Sequence, residues 1–209
     1  MTPVVLISLT IHEYSHGYIA HLFGDDTAKL RGRLSLNPLR HLDPIGVIFF
    51  YFVGFGWAKP VPVNWRNFRN PRKDMMLVAA AGPLSNLALA IVCGFFLRVI
   101  SPEHNLMLFA FFCFAVYINV ALAIFNMIPV FPLDGSSILK GLVPANVAAK
   151  LTDLDRFGAV ILIGIFLMDR FANTGIFSRV LFLPISFVVE FLTQEAYPLL
   201  NRVMYISFS

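Results

Sequence analysis

The sequence is organised around one polar stretch, Leu9-Thr10-Ile11-His12-Glu13-Tyr14-Ser15-His16-Gly17-Tyr18, inside the mainly apolar segment Val4 to Phe23. That segment predicts a membrane-spanning helix near the lower length limit for a hydrocarbon core of roughly 30 Å. Ionisable side chains at membrane depth cost roughly 2.5–3.5 kcal/mol each on insertion scales and usually serve a function. Two histidines and a glutamate within five residues therefore indicate a functional site.

The spacing of these three side chains favours a metal site. On a helix His12 and His16 are one turn apart and share a face, while Glu13 lies beside them. Both imidazoles then reach one metal ion and the carboxylate addresses its water, which is the H-E-x-x-H arrangement of zinc hydrolases. The alternative is a hydrogen-bonded polar cluster inside a helix bundle, since the four-residue pattern also occurs by chance.

Composition predicts an integral membrane protein. Of the 209 residues 58% are hydrophobic and 13% are charged, and the mean hydropathy is +0.75. Nine of the 16 Lys and Arg residues lie between Lys29 and Lys73, beside apolar spans. A cytoplasmic loop explains this basic region better than nucleic-acid binding. Cys93 and Cys113 lie in apolar runs and predict buried thiols, with no disulfide. No cleavable signal is expected, since Met1-Thr2-Pro3 carries no basic region.

The hydrophobic pattern predicts an all-α polytopic membrane protein, a bundle of about five to six transmembrane helices forming a single domain over residues 1–209. Its catalytic core would span about residues 4–139, with a closing helical hairpin at about 157–192. Pro83 is expected to kink the second clear span, and Asn173-Thr174-Gly175 to form the turn of the hairpin. The expected later spans and apolar runs are Met75 to Ile100, Leu106 to Ile128, Phe157 to Met168 and Ile176 to Leu192, with an interfacial stretch at Ser136 to Arg156.

A small membrane-associated β or extended segment is expected between the first two spans. Thr27 to Arg40 alternates in part between leucine and arginine and predicts extended or hairpin structure. Pro44 to Trp57 is apolar but short, with Gly54 and Gly56 near its end, and is basic on both flanks. We expect it to dip into the membrane or lie on its face. Ala58 to Asn64 predicts an extended edge, because its prolines cannot donate to a ladder.

A catalytic zinc site needs a third protein ligand and one open position. His21 lies one residue short of a known three-histidine spacing. Asp134 stands out because it follows a long apolar span and a break at Asn126-Met127-Ile128-Pro129-Val130-Phe131-Pro132. It is equally suited to cap the helix that starts near Ser136, a common role for Asp. The other candidates are loop or terminal residues: His41, Glu103, His104, Glu190 and Glu195.

Together, these motifs resemble the site-2 protease family of intramembrane zinc metalloproteases. The residues that carry the resemblance are His12-Glu13-Tyr14-Ser15-His16, Gly82-Pro83-Leu84-Ser85-Asn86, Asn126 to Pro129, and Leu133-Asp134-Gly135. Four further motifs look like those of compact bacterial members: Gly24-Asp25, Gly32-Arg33-Leu34, Leu36-Asn37-Pro38 and Trp57-Ala58-Lys59-Pro60-Val61. The resemblance covers roughly Ile11 to Leu139.

The resemblance implies an endopeptidase that cuts transmembrane segments within the bilayer. It implies one Zn²⁺ per chain held by His12, His16 and Asp134, Glu13 as the catalytic base, and Asn126 and Asn86 as substrate-positioning residues. For Asn86, interhelical hydrogen bonding is an equal alternative. The implied partners are a membrane protein substrate, the lipid bilayer and a regulatory membrane protein, and the implied location is the bacterial inner membrane.

Two features depart from many members of that family. Ser136 and Ser137 stand where a Gly-Arg pair is common, and Asp25 to Asp74 has no room for an inserted substrate-screening domain. We therefore expect a minimal catalytic core. A second hypothesis is a metal-binding membrane protein without protease activity, such as a transporter or metal sensor, which would have no need for Glu13. A third, a structural membrane protein, leaves the buried charges unexplained.

Overall fold

The structure, a computed structural model, describes residues 2–53, 56–100, 102–172 and 174–194. Across those residues the chain is mostly helical, and the helices are joined by short loops. In chain order they are α1 Thr2–Leu22, α2 Thr27–Leu30, α3 Pro44–Val53, α4 Pro71–Leu97, α5 Leu106–Asn126, α6 Asp134–Leu142, α7 Ala145–Ala172 and α8 Ile176–Thr193.

Helix α4 is the centre of the bundle, in contact with α1, α5, α6 and α8. It begins with Pro71 in its first turn, where the missing N–H costs nothing, and it continues through Pro83 without ending. The main core lies where α1, α4, α5 and α8 meet. Its buried members include Val4, Ala90, Phe109, Val116 and Val189.

Helices α4 and α5 are long and apolar enough to cross a membrane. They confirm that long apolar helices form at the two clear spans predicted from the sequence. Both also carry large apolar side chains on their outer surfaces, such as Leu84, Phe95 and Phe111. An apolar outer surface of this kind is suited to lipid contact.

The extended or hairpin structure expected for Thr27 to Arg40 is wrong. The chain instead forms the short helix α2 and a 3₁₀ turn at Pro38–Arg40, whose cap Asn37 accepts a hydrogen bond from the Leu39 N–H. The Arg40 guanidinium donates to the Gly32 carbonyl, so it pairs with local backbone and does not line one face of a strand. In the described residues the only pairing of strand type is an isolated bridge between Leu42 and Ala58.

Helix α3 is ten residues long, and its two flanks lie side by side. The Leu42–Ala58 bridge joins the flanks, and the Lys59 N–H donates to the His41 carbonyl at 2.8 Å. Asp43 accepts hydrogen bonds from the Ile45 N–H at 2.9 Å and from the Trp57 indole at 3.3 Å. The chain therefore enters and leaves α3 at neighbouring positions. Gly54, near the end of this segment, lies outside the described residues.

Residues 58–67, here called the strap, run back across α1. Ala58 to Asn64 forms no helix and, apart from the isolated bridge at Ala58, no strand pairing, and Trp65–Asn67 forms a 3₁₀ turn. The Lys59 carbonyl accepts a hydrogen bond from Arg33 at 2.7 Å. The strap thus connects the α3 flanks to the start of α4.

The C-terminal part forms the predicted closing hairpin from α7 and α8, which pack on each other. Helix α7 begins at Ala145, well before the expected start near Phe157, so part of the predicted interfacial stretch belongs to it. The expected Asn173 turn position and the alternative ligand Glu195 lie outside the described residues. Both cysteines are free; Cys113 is buried, as predicted, whereas Cys93 is only partly buried.

Candidate metal centre

His12 and His16 lie on one face of α1 and point at a common position. Their ring centroids are 4.6 Å apart, and their Nε2 atoms are 3.0 Å apart. Both side chains are buried. The one-turn spacing of the sequence motif accounts directly for this proximity, because positions i and i+4 of a helix are neighbours.

The second nitrogen of each imidazole is engaged by α4. His16 Nδ1 is 2.7 Å from the Val78 carbonyl, which can only accept, so this nitrogen donates. His12 Nδ1 is 2.6 Å from Asn86 Oδ1, and the Asn86 amide nitrogen donates to the Ser8 carbonyl and to Asn119 Oδ1. His12 Nδ1 therefore donates as well. Both neutral rings then carry their lone pair on Nε2, the arrangement that second-shell partners impose on metal-binding histidines.

Asp134 completes the cluster from α6. Its Oδ2 lies 3.2 Å from His12 Nε2, and its Oδ1 lies 3.4 Å from His16 Nε2. Asp134 is the first residue of α6, but the cap position is Leu133 and no side-chain cap hydrogen bond forms. The geometry therefore favours the ligand hypothesis over the capping alternative.

The loop before Asp134 is held tightly against the end of α5. A Cβ atom added to Gly135 would lie 2.3 Å from the Met127 carbonyl oxygen and 2.4 Å from that of Ile128. Only glycine permits this approach of α6 to the broken segment. The segment 127–133 therefore sets the depth at which Asp134 meets the two histidines.

These three side chains fit a zinc ion. One ligand atom from each side chain lies within 4.8 Å of the ligand atoms of the other two. Among the His, Cys, Asp and Glu side chains of the described residues, these three are close enough together to share a metal ion. Ligands around tetrahedral zinc at about 2.0–2.1 Å are separated by about 3.3 Å, close to the observed spacings. The buried Asp134 Oδ2 has no hydrogen-bond partner among the described residues. Two Nε2 atoms and a carboxylate that converge on one point form a donor set suited to a divalent cation.

Helix α4 forms the back of the cluster at Gly82. A Cβ atom here would lie 2.4 Å from His16 Nε2 and 2.6 Å from His12 Cε1. The imidazoles thus occupy the space that any larger side chain would need. This explains why a glycine stands in the middle of a long helix, where it costs roughly 0.5–1 kcal/mol relative to alanine.

Glu13 is buried beside the histidines and faces the strap. Its Oε2 accepts a hydrogen bond from the Val61 N–H at 2.7 Å. Sequence reasoning placed Glu13 at the site but had no means of finding Val61. A backbone N–H leaves no mark on side-chain patterns, and the two residues are 48 positions apart.

The two predicted substrate-positioning asparagines differ in their surroundings. Asn86 is fully buried, and its amide is occupied by His12, Ser8 and Asn119, which favours the interhelical alternative. Asn126 ends α5 at the start of the broken segment and donates to the Leu122 carbonyl. It is only partly buried and lies eight positions before Asp134.

The remaining ligand candidates in the described chain are not in the cluster. His21 lies against Asp26 at the end of α1. His41 is buried in the loop before α3, where its Nε2 donates to the Ser35 carbonyl at 2.7 Å. Glu103, His104 and Glu190 are absent from the metal-competent group.

Comparisons with known proteins decide the family. Residues 98–169 match the model of peptidase family M50. A Bacillus subtilis (strain 168) protein, named as a zinc metalloprotease, YwhC, is 45% identical over 170 residues, covering 78% of this chain and 77% of that protein. The chain belongs to peptidase family M50. This is the site-2 protease family, so the resemblance predicted from the motifs is confirmed, as is the class of intramembrane zinc metalloprotease.

More distant M50 relatives agree. The Mycobacterium tuberculosis (strain H37Rv) protein Rip2, also named as a zinc metalloprotease, is 29% identical over 168 residues, which cover 78% of this chain and 64% of Rip2. The Methanocaldococcus jannaschii protein MJ0611 is 43% identical over 97 residues, which cover 46% of this chain and 49% of that protein. No solved structure matches this M50 chain significantly. The transporter or sensor alternative is not favoured.

Proposed function

We propose that this chain cleaves transmembrane segments of other membrane proteins within the bilayer, with His12, His16 and Asp134 as zinc ligands and Glu13 as the general base. The observation that carries the proposal is the convergence of two Nε2 lone pairs and one carboxylate on a single buried point. Both Nδ1 atoms donate to α4, which leaves each Nε2 directed at Asp134.

When bound, zinc would act as a Lewis acid that polarises a carbonyl and lowers the pKa of its bound water to roughly 7. Glu13 takes up the proton of the attacking water and passes it to the leaving amine. The Val61 N–H holds one oxygen of the Glu13 carboxylate, so the other oxygen accepts the proton. Asn86 and the Val78 carbonyl hold the histidine rings in orientation.

For the substrate, we propose edge addition of an extended segment to Lys59 to Asn64 of the strap. The N–H groups of Lys59, Val61 and Asn64 already donate within the protein, to His41, Glu13 and Asp25. Pro60 and Pro62 have none. This leaves Val63 and the strap carbonyls for an added strand, so we place the substrate contact there and near Asn126.

Five helices form the proposed transmembrane bundle: α1, α4, α5, α7 and α8. Helix α3 would dip into one face of the membrane without crossing, because ten residues of helix span about 15 Å, half of a roughly 30 Å core. Its exposed side chains, including Ile45, Ile48 and Phe52, would then contact lipid. We propose that the protein is a multi-pass protein of the bacterial inner membrane. We also propose that residues 1–209 form one domain.

The first experiment measures zinc content and proteolysis in parallel. Reporter fusions, each carrying one transmembrane helix, are screened with the wild type to obtain one that is cleaved. Glu13→Gln is expected to keep zinc near one per chain and to lose cleavage by at least a hundredfold, because the amide cannot accept the proton. His12→Ala and His16→Ala are expected to lose both zinc and cleavage. Unchanged cleavage by Glu13→Gln would remove the general-base assignment.

A further inference from the structure

Asp25 lies just after α1, at the turn made by Gly24, and is the least exposed carboxylate near the strap, with 0% of its surface accessible. The zinc site does not use it. A buried carboxylate needs hydrogen-bond donors, and Asp25 has four within its own part of the fold. Two come from Thr27, at 3.1 Å from the N–H and 2.5 Å from the hydroxyl.

The other two donors belong to the strap. The Asn64 N–H donates to Asp25 Oδ2 at 2.6 Å, and the Asn67 amide donates to Asp25 Oδ1 at 2.7 Å. Asp25 thereby joins the end of α1 to the C-terminal half of the strap. At its other end the strap is fixed through Lys59. The Lys59 carbonyl accepts a hydrogen bond from Arg33, and the Lys59 N–H donates to the His41 carbonyl.

Between these two attachments, Val61 lies over the catalytic face of α1. Its N–H donates to Glu13, and its side chain covers Gly17, one helical turn further along. A Cβ atom at Gly17 would come within 3.1 Å of Val61 Cγ1, so the strap lies as close to α1 as it can. Any lift of the strap at Asn64 would withdraw the Val61 N–H, because only three residues separate them.

We propose that Asp25 is a positioning residue for proteolysis: by binding the strap at Asn64 and Asn67, it keeps the Val61 N–H on the Glu13 carboxylate. This inference rests on the proposed role of Glu13. Asp25 touches neither the substrate nor the zinc ligands. Its effect passes through the strap and is expected in kcat, while the zinc content stays close to that of the wild type.

A matched pair of variants separates positioning from general stabilisation. Asn67→Ala and Thr27→Val each remove one side-chain hydrogen bond to Asp25, the first on the strap side and the second on the α1 side. With the reporter fusion in liposomes, Asn67→Ala is expected to lower kcat about fivefold with the zinc content unchanged. Thr27→Val is expected to keep kcat within about twofold. Equal losses of kcat in both variants would overturn the proposal.

A double-mutant cycle then tests the route of the effect. Val61→Pro removes the N–H that Glu13 accepts, and Asp25→Asn weakens the anchor of the strap. Acting through one hydrogen bond, the two changes are expected to be non-additive: Asp25→Asn lowers kcat about tenfold in the wild type and less than twofold in Val61→Pro. Full additivity would show that Asp25 does not act through Val61. Val61→Ala, which keeps the N–H, is expected to lose less activity than Val61→Pro.

Failure of this inference is distinguishable from failure of the proposed function. If Glu13→Gln keeps zinc and loses cleavage while the cycle is additive, Glu13 remains the base and only the role of Asp25 is wrong. If Asp25→Asn does not fold, the Asn67→Ala and Thr27→Val pair still decides. Cleavage by Glu13→Gln at the wild-type rate would remove both claims together.

Discussion

At the scale of single residues, the site depends on which nitrogen of each histidine carries the proton. Asn86 and the Val78 carbonyl, both on α4, leave Nε2 of each ring free for metal. Such second-shell partners typically contribute 10–100-fold to metal affinity or activity. The Asn86 amide is in turn fixed by Asn119, whose own amide donates to the Ala115 carbonyl. This chain of amides connects α1, α4 and α5 at the depth of the metal centre.

Gly82 gives the sharpest prediction at this scale. Gly82→Ala would place a methyl group 2.4 Å from His16 Nε2, so the ring must move away from the cluster. We expect at least a tenfold loss of zinc affinity and a comparable loss of cleavage, measured by competition with a zinc chelator and by the reporter assay. The matched control is Gly164→Ala on α7, where nothing lies within 4 Å of the added Cβ. Equal zinc affinity in both variants would contradict the close packing at Gly82.

The residue pattern predicted part of this site because helical spacing is local. His12, Glu13 and His16 are neighbours by virtue of one turn of helix, so their shared location follows from the sequence alone. Asp134 was left open as ligand or cap, since its distance from His12 depends on how α6 packs against α4. The partners Val78 and Val61 contribute backbone atoms, and backbone atoms are the same at every position of a sequence.

At the scale of elements, the strap joins the catalytic helix to the loops on one side of the bundle. Burial acts to raise the pKa of the Asp25 carboxyl, but hydrogen bonds from Thr27, Asn64 and Asn67 outweigh it and hold the pKa below its ordinary value. A carboxylate whose folded pKa is lowered stabilises the fold above its unfolded pKa of about 3.9. That contribution is lost as the pH falls through the folded pKa.

The resulting prediction concerns acid stability. The thermal unfolding temperature of the wild type in detergent is expected to decrease below about pH 4. Protonation of Asp25 is expected to contribute to this decrease. Asp25→Asn is expected to be less stable than the wild type at pH 6 and to narrow that difference as the pH approaches 3. Asp26→Asn is the control, because Asp26 is exposed and does not bind the strap. A difference in unfolding temperature between Asp25→Asn and the wild type that stays constant from pH 6 to pH 3 would contradict the stabilising role of the Asp25 carboxylate.

The elements themselves were predictable to different degrees. The spans of α4 and α5 follow from long apolar runs, and the break after α5 follows from its prolines. The hairpin expected at Thr27 to Arg40 failed because arginine alternation can arise from side chains that bind nearby carbonyls, as Arg33 and Arg40 do. Helix α1 carries the H-E-x-x-H motif. The polar residues of this motif form the proposed metal site, and they also lower the mean hydropathy of the helix.

At the scale of the whole molecule, the bridged flanks of α3 bear on topology. Leu42 and Ala58 pair directly, so residues before and after α3 lie on the same side of the bundle. Single cysteines replacing Arg33 and Arg69, in a background without Cys93 and Cys113, are expected to react with an impermeant thiol reagent from the cytoplasmic face only. Cysteine at Asn105, between α4 and α5, is the control for the opposite face. Labelling of the cysteine at position 33 or 69 from the outer face would show that α3 crosses the membrane.

The central claim is that two histidines of α1 and one aspartate of α6 hold zinc, although Asp134 is 122 positions from His12. Zinc-edge X-ray absorption of the purified protein and of Asp134→Asn tests this most directly. The wild type is expected to show two imidazoles and a carboxylate oxygen at about 2.0–2.2 Å. Asp134→Asn is expected to lose that oxygen and most of the bound zinc while remaining folded, since the two side chains have nearly the same size and Asp134 makes no cap hydrogen bond. An unchanged zinc environment in Asp134→Asn, or zinc bound through sulfur, would contradict the claim.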